Sequence, residues 1–259
     1  MGLAYSPSGS KDGAKAKLEK LGFDIRLLDG VITSGEVTHS CLEDRASSFW
    51  RERKSCIHFT WLERGSISLE NLGLDVTTDP EKADCIIAHG TEALGTQVNG
   101  QNASPCSVEH MKEILSSCRE IAKHKRSNMP LIVANPDIVT VNGDELIVMP
   151  GTLAKFYEEI GGQVHRMGKP DPIIYHRALE MLDLHPKDII AIGDSLEHDI
   201  YGAQSMNIDS IFIAAGIHKK EVVVGDKDAE MVKEACLDEL FAEYKCRPQY
   251  TLLYFKIKR

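Results

Sequence analysis

The sequence has 259 residues, enough for one large domain or two modest ones. Its 42% hydrophobic and 27% charged residues are typical of a soluble globular protein. The formal net charge of −9 argues against a nonspecific nucleic-acid binder, which needs a basic face. The seven cysteines are scattered without a Cys-x-x-Cys pair, which favours reduced thiols in an intracellular, cytoplasmic protein. No apolar stretch approaches the ~18 residues of a membrane span, so no membrane association is expected.

In chain order, the hydrophobic pattern alternates between helices and short strands. Helices are predicted at 11–21, 34–50, 107–125, 151–160, 172–182, 196–206 and 229–244. Strands are predicted at 55–60, 84–90, 131–134, 147–149, 188–192, 210–214 and 250–257, and a long loop at 91–106. The helix at 107–125 carries Met111, Leu115 and Cys118 at helical spacing on one face. This alternation predicts an α/β fold with a mostly parallel sheet.

The most informative stretch is an Ile-rich run that ends in Gly193-Asp194-Ser195. The run predicts a buried strand, and the following turn places a carboxylate at its carboxyl end, with Ser195 able to cap the next helix. Ligands of open α/β sheets bind at the carboxyl ends of strands, so Asp194 is a candidate ligand for a hard cation or a phosphate. A simple helix cap, worth about 1 kcal/mol, accounts for Asp194 equally well on its own. Asp199, in the first helical turn, equally suits the helix dipole.

Lys169 lies in a Gly-Lys-Pro turn between a strand and a helix, upstream of Asp194. A lysine there can reach a phosphate or neutralise clustered carboxylates, although an exposed turn lysine is the commoner case. The pairing with Asp194 is what favours the functional interpretation. Gly193-Asp194-Ser195-Leu196 also spells the signature of the GDSL esterases, with Ser195 as nucleophile. The motif comes late in this chain, where only His198 and His218 follow it, so the esterase is a third alternative.

An ordered series of segments resembles the haloacid dehalogenase (HAD) superfamily of phosphohydrolases, in particular its NagD-like branch. The matching segments are Thr33–Thr38, Ala134–Asp137, Pro150–Leu153, Gly168–Pro170, Ile192–Asp199, Gly202-Ala203 and Ile208–Gly216. The resemblance covers nearly the whole chain from about residue 14. It implies a Rossmann-like parallel sheet core, split between residues 1–50 and 164–259, around an inserted α/β cap at 51–163.

The resemblance also implies Mg²⁺-dependent hydrolysis of a small phosphorylated metabolite through an aspartyl-phosphate. In this superfamily one aspartate attacks phosphorus, and a second, two residues later, is the general acid and base. By motif match Lys169 is the catalytic lysine on the phosphate side, Asp194 is a metal ligand, and Asp199 is a ligand or orients one. The other implied site residues are Ser6 or Ser8 for phosphate, and Asn135 and Asp137 of the cap for substrate.

One departure from the family pattern limits the expected activity. In this family the nucleophile motif, Asp-x-Asp-Gly after a buried strand, lies some tens of residues before the second motif, which contains the phosphate-binding serine. Here that serine would be Ser6 or Ser8, and only a few residues precede it. Asp29-Gly30 resembles it superficially, but position 27 is Leu rather than a second carboxylate. We therefore expect an impaired or inactive phosphatase, either N-terminally incomplete or shortened and no longer catalytic. The alternative is a noncatalytic phosphate-binding, metal-binding or scaffold protein. The sequence leaves the oligomeric state open, a homodimer included.

Overall fold

The protein was analysed as a computed structural model, in which the chain forms two compact units, residues 1–168 and 169–259. The structure describes residues 3–6, 11–20, 22–43, 48–62, 67, 69–99, 102–142, 145–225 and 230–255. None of the helices described combines the length and the apolar character that crossing a bilayer requires. The sequence-based division into a split core and an inserted cap stays a prediction.

The first unit alternates helices and strands as the sequence predicts. Its helices are α1 (Lys11–Lys20), α2 (Ser34–Glu43), α3 (Ser48–Arg51), α4 (Val108–His124) and α5 (Pro150–Glu159). Its strands are β1 (Leu3–Ser6), β2 (Gly30–Thr33), β3 (Ser55–Thr60), β4 (Asp75–Val76), β5 (Cys85–Ala88), β6 (Ala93–Leu94), β7 (Ser104–Pro105), β8 (Leu131–Val133), β9 (Val139–Asn142), β10 (Glu145–Val148) and β11 (Val164–Arg166). One expectation needs correction, because the predicted loop at 91–106 contains β6 and β7. Within the helix predicted at 34–50 the structure describes α2 and α3, and residues 44–47 lie outside the described residues.

A seven-stranded sheet organises this unit, in the order β11-β8-β5-β3-β6-β7 with β4 also beside β3. Strands β11, β8, β5, β3 and β4 are parallel, whereas β6 and β7 are antiparallel. Helices α4 and α5 provide crossovers of the length that parallel neighbours require. Strands β1 and β2 are parallel neighbours, and α1 lies between them in the chain. Strands β9 and β10 form a separate antiparallel pair.

One face of the large sheet packs against α4 and α5. Ile57 and Phe59 of β3 lie in the same hydrophobic cluster as Met111, Leu115 and other residues of these helices. This confirms the amphipathic helix predicted from the sequence. Strand β3 is also buried on its other face, from Cys56 to Thr60, as is usual for strands of a parallel sheet.

The second unit is built on a smaller parallel sheet. Its strands are β12 (Ile190–Gly193), β13 (Asp209–Ile213), β14 (Val223–Val224), β15 (Met231–Val232) and β16 (Tyr250–Leu252). Its helices are α6 (Pro172–Leu182), α7 (Tyr201–Ser205), α8 (Lys219–Val222) and α9 (Glu234–Tyr244), with a π-helical turn at Leu196–Ile200. Strands β12, β13 and β16 are parallel neighbours in that order, and β14 and β15 form an antiparallel pair. In chain order, β12 continues directly into the π-helical turn.

Strand β12 differs from its prediction as a fully buried strand. Ile190 and Ile192 are each 43% exposed. The opposite face of the sheet carries Phe212, which is fully buried and clusters with Leu240 and Phe241 of α9. The apolar cluster of the second unit therefore covers one face of the sheet, and the isoleucine side chains of β12 lie on the other. The strand itself was predicted correctly, but its complete burial was not.

Candidate active site

Asp194 follows the last residue of β12 and lies against the loop that leaves β13. Its Oδ2 atom accepts a hydrogen bond from the Ile217 N–H at 3.0 Å. A Cβ atom on Gly216 would lie 2.1 Å from Asp194 Cβ, so the backbone approaches as closely as a glycine permits. Since β12 and β13 are parallel neighbours, their carboxyl ends meet at one edge, where ligands of such sheets bind. Asp194 thus occupies the kind of position that the sequence predicted.

Lys169 and Asp199 form an ion pair beside Asp194. The Lys169 Nζ atom contacts Asp199 Oδ1, and the Ser195 N–H donates to Asp199 Oδ2 at 3.0 Å. The Lys169 and Asp199 side chains are 24% and 12% exposed, so both are largely withdrawn from solvent. A Cβ atom on Gly193 would lie 2.2 Å from Asp199 Cγ, which explains why this position is glycine. The structure therefore brings together Lys169 and Asp199, two residues that the sequence singled out 30 positions apart, and Asp194 directly precedes Ser195, whose N–H binds Asp199.

The carboxylate of Asp199 is oriented by a π-helical turn rather than by an ordinary helix start. The N–H groups of Asp199 and Ile200 both donate to the Ser195 carbonyl, at 2.9 and 3.1 Å. Tyr175 Oη donates to the His198 carbonyl at 2.9 Å. The sequence predicted a regular helix here, and Tyr175 was not singled out as part of the site. Gly202 is the position in the sequence that reflects this packing, because a Cβ atom there would lie 2.3 Å from Tyr175 Oη.

Ser195 caps the helix that follows it. Its Oγ atom accepts from the His198 N–H at 3.1 Å and lies 3.0 Å from His198 Nδ1. A serine hydroxyl beside an imidazole is the arrangement that a serine nucleophile requires. Here the hydroxyl is buried and bonded within its own helical turn, so capping accounts for its geometry. The esterase interpretation stays a prediction.

The cap residues predicted to face substrate lie in the first unit, in a turn held by α5. Asn135 is buried, and its Oδ1 atom accepts from the Asp137 N–H at 3.3 Å. The Gly151 N–H donates to the Asp137 carbonyl at 2.8 Å. A Cβ atom on Gly151 would lie 2.1 Å from the Pro136 carbonyl oxygen, so this glycine allows the close approach. The turn is thus rigidly placed, while its role in substrate binding stays a prediction.

The two predicted phosphate-binding serines stay untested. Ser6 is the last residue of β1, where it pairs in register with Thr33 of β2. Ser8 lies outside the described residues. Thr33 caps the start of α2, because its Oγ1 atom accepts from the Glu36 N–H and donates to the Glu36 carboxylate, both at 3.2 Å. The landmark Thr33–Thr38 therefore has a clear structural role at a strand-to-helix junction.

The carboxylate oxygens of the second unit suit a cation that is coordinated mostly by water or substrate oxygens. Within the described part of the chain, no group of three or more His, Cys, Asp or Glu side chains is arranged to hold a metal ion. Magnesium uses one or two protein carboxylates and keeps several waters or substrate oxygens. Asp194 fits that demand, because one of its oxygens is oriented by Ile217. Asp199 already neutralises Lys169, so it fits the role of an orienting carboxylate better than that of a direct ligand.

Comparison with known sequences identifies part of the second unit. Residues 166–236 match the family model described as HAD-hydrolase-like. An acid sugar phosphatase of Staphylococcus saprophyticus is 40% identical over 57 residues, which are 22% of each chain. An acid sugar phosphatase of Staphylococcus aureus is 27% identical over 119 residues, 46% of each chain. These alignments span less than half of the length of the curated relatives.

Comparison with solved structures extends the similarity to nearly the whole chain. A HAD-like hydrolase from Brucella suis shares 23% identity at a TM-score of 0.65, covering 96% of this chain and 81% of that one. A p-nitrophenyl phosphatase from Archaeoglobus fulgidus shares 17% identity at a TM-score of 0.62, covering 97% and 82%. At these identities the likeness establishes the fold. The family match itself is limited to residues 166–236, the segment that contains Lys169, Asp194 and Asp199.

Proposed function

We propose that this chain descends from Mg²⁺-dependent phosphomonoester phosphatases of the NagD-like branch and keeps their cation and phosphate side. The observation that carries the proposal is the Lys169–Asp199 ion pair beside Asp194 at the carboxyl end of β12. A small phosphorylated metabolite in the cytoplasm is the proposed ligand. Acid sugar phosphatases and p-nitrophenyl phosphatases among the similar proteins support this class of ligand.

Each residue of the site has a proposed part. Asp194 would hold Mg²⁺ together with waters and a phosphate oxygen, and the bound cation would offset the negative charge of the phosphate. Lys169, an ammonium kept in place by Asp199, would contact a second phosphate oxygen. Asp199 would orient that ammonium, since Ser195 and the π-helical turn fix its own carboxylate. In the first unit, Ser6 or Ser8 would add a phosphate contact, and Asn135 and Asp137 would contact the rest of the substrate.

We further propose that the polypeptide 1–259 turns over phosphomonoesters poorly or not at all. The mechanism of this superfamily needs a nucleophilic aspartate with a second carboxylate two residues later. Asp194 is followed at that distance by Leu196, and Asp199 by Tyr201. Asp29 precedes β2 and so lies at the amino end of a strand, where the loops that bind ligands do not gather.

The test combines thermal unfolding with a turnover assay on purified 1–259. Mg²⁺ with inorganic phosphate should raise the Tm by a few degrees, because ligands that bind only the folded state stabilise it. Hydrolysis of p-nitrophenyl phosphate should stay at background. Asp194→Asn should abolish the rise in Tm. Asp188→Asn, an exposed carboxylate before β12, is the matched control and should keep that rise.

Each outcome separates one part of the proposal from another. Strong Mg²⁺-dependent turnover that Asp194→Asn abolishes would refute the impaired activity. If Mg²⁺ and phosphate leave the Tm unchanged, the claim that the chain retains a cation and phosphate site is refuted. A rise in Tm without turnover fits the proposal and equally the related noncatalytic binding or scaffold protein.

A further inference from the structure

A single peptide unit connects the Asp194 carboxylate to helix α8. The Ile217 N–H donates to Asp194 Oδ2 at 3.0 Å. The carbonyl of the same peptide unit belongs to Gly216, and it accepts from the Lys219 N–H at 3.1 Å. Lys219 is the first residue of α8. The direction in which the Ile217 N–H points therefore depends on where α8 begins.

Helix α8 is too short to keep its place by itself. It has four residues, Lys219–Val222, whereas isolated helices shorter than about 12 residues are marginal in water. Its place therefore depends on tertiary contacts at its two ends. Val222, at the carboxyl end, is fully buried in the apolar cluster of the second unit. The residue that precedes the helix is His218, which is only 4% exposed.

The His218 ring packs against aromatic residues of β13 and α9. Its centroid lies 5.2 Å from that of Tyr244 in an edge-to-face arrangement, and 6.0 Å from that of Phe212. Edge-to-face packing of aromatic rings stabilises a contact beyond the area that it buries. The Nδ1 atom of His218 lies 3.1 Å from Glu221 Oε1, within α8. The ring thus holds the start of α8 to the apolar core and also contacts the helix itself.

We propose that His218 is a positioning residue that keeps the Ile217 N–H on the Asp194 carboxylate. The inference rests on the proposed function, in which Asp194 holds Mg²⁺. A carboxylate whose orientation is already fixed loses less side-chain entropy when it binds a cation. Loss of the His218 ring should therefore weaken the response to Mg²⁺, although the ring lies in the apolar cluster and is assigned no contact with the cation or the phosphate.

Hydrogen exchange of the Ile217 amide, measured by NMR on the full chain without Mg²⁺, tests the proposed contact directly. His218→Ala should make this amide exchange about tenfold faster, because local opening of the loop becomes easier. Gly216 and Ile217, the residues on either side of the amide bond, are unchanged in this variant. The Ser195 amide, which donates to Asp199 in the same unit, is the internal reference and should keep its rate.

Leu240→Ala is the matched control for general loss of stability. Leu240 lies on α9 in the same apolar cluster and is 5% exposed, so its truncation should lower the Tm as well. The Ile217 amide should nevertheless keep its rate. If both variants accelerate Ile217 equally, or if His218→Ala leaves its rate unchanged, the histidine is only a part of the core and the proposal fails. Should His218→Ala not fold, His218→Gln gives the same comparison, because it lacks the ring but keeps a polar side chain beside Glu221.

Thermal unfolding with Mg²⁺ and inorganic phosphate separates this inference from the proposed function. The rise in Tm should be smaller in His218→Ala than in the unsubstituted chain, and it should be unchanged in Leu240→Ala. An equal rise in His218→Ala and the unsubstituted chain would overturn the positioning role. If the unsubstituted chain shows no rise at all, the proposed function is refuted, and the exchange rate of Ile217 still decides whether His218 holds the loop on Asp194.

Discussion

The contact between Gly216 and Asp194 leaves no room for a side chain at position 216. A Cβ atom there would lie 2.2 Å from Asp194 Oδ2 as well as against its Cβ. Gly216→Ala should therefore displace the carboxylate and lower the free energy of unfolding by about 1–3 kcal/mol, the usual cost of overpacking. It should also diminish the rise in Tm that Mg²⁺ produces. Thermal unfolding with and without Mg²⁺ measures both effects.

The neighbouring residue gives the control for this substitution. The Ile217 side chain is 64% exposed, while its backbone N–H bonds Asp194. Ile217→Ala keeps that N–H and should leave the response to Mg²⁺ unchanged. Equal effects of the two substitutions would mean that the loop tolerates a side chain at 216, which contradicts the packing described above.

Single residues also show what a sequence can indicate. Lys169, Asp194 and Asp199 were candidates because a Gly-Asp turn directly after an apolar run is typical of a ligand-binding strand end, and Lys169 belongs to the same motif series; their roles stay predictions. The Ile217 N–H could not, because any residue except proline supplies a backbone donor. Tyr175 was missed for a related reason: an aromatic residue at helical spacing usually signals core packing, and its hydroxyl bond to a π-helical turn has no local pattern.

At the scale of elements, a helix was predicted correctly where one of its faces is apolar along its whole length. Helix α4 spans Val108–His124, close to the predicted 107–125, because its apolar stripe is continuous. The helix predicted at 196–206 begins instead with a π-helical turn. That turn receives hydrogen bonds from Lys169 and Tyr175, which precede it by more than 20 residues, and its own sequence does not indicate these partners.

The buried histidines of the first unit predict how its stability depends on pH. The folded-state pKa values of His58 and His89, about 3 and about 4, lie below the ordinary value of 6.5. The unfolded chain therefore binds more protons below pH 6.5, and stability falls as the pH falls toward those values. Between pH 7 and pH 5 each histidine should cost about 2 kcal/mol of unfolding free energy. Urea unfolding at the two pH values measures the loss.

Substitution of one histidine isolates this effect. His58→Leu removes a titrating group and should reduce the difference between pH 7 and pH 5 by about half, whatever its effect on stability at pH 7. His124→Gln, at the exposed end of α4, is the control and should leave the difference intact. A difference that stays the same in His58→Leu would show that other groups cause the acid sensitivity.

At the scale of the whole molecule, an ordered series of short motifs predicted the fold better than any single element did. Glycines of those motifs lie where two parts of the chain approach closely, such as Gly151 against the Pro136 carbonyl oxygen and Gly193 against the Asp199 side chain. Such approaches fix where elements meet, and so they identify a fold even at 17–23% identity to solved structures. Exposure could not be predicted from the same motifs, since it depends on which surfaces distant parts of the chain cover.

The sheet of the second unit carries an exposed apolar face across all three strands. Ile192, Ile211 and Tyr250 occupy matching register positions, and Ile213 matches Leu252 in the next row. Ile192 and Leu252 are each 43% exposed, and Tyr250 is 61% exposed. Among the described strands, β12 pairs with β13 alone. Parallel sheets are normally covered on both faces, and apolar faces of this kind promote association.

We therefore expect the purified chain to self-associate in a concentration-dependent way through this face of β12 and β16. Replacing Ile192 and Leu252 together by threonine keeps two residues suited to strands but removes apolar surface, and should weaken association about tenfold, equivalent to about 1.4 kcal/mol. Analytical ultracentrifugation over a range of concentrations measures the change. Leu27→Thr, which alters a 71% exposed leucine of the first unit, is the control and should have no effect. If both variants associate as the unsubstituted chain does, the exposed face of the second unit is not the surface responsible.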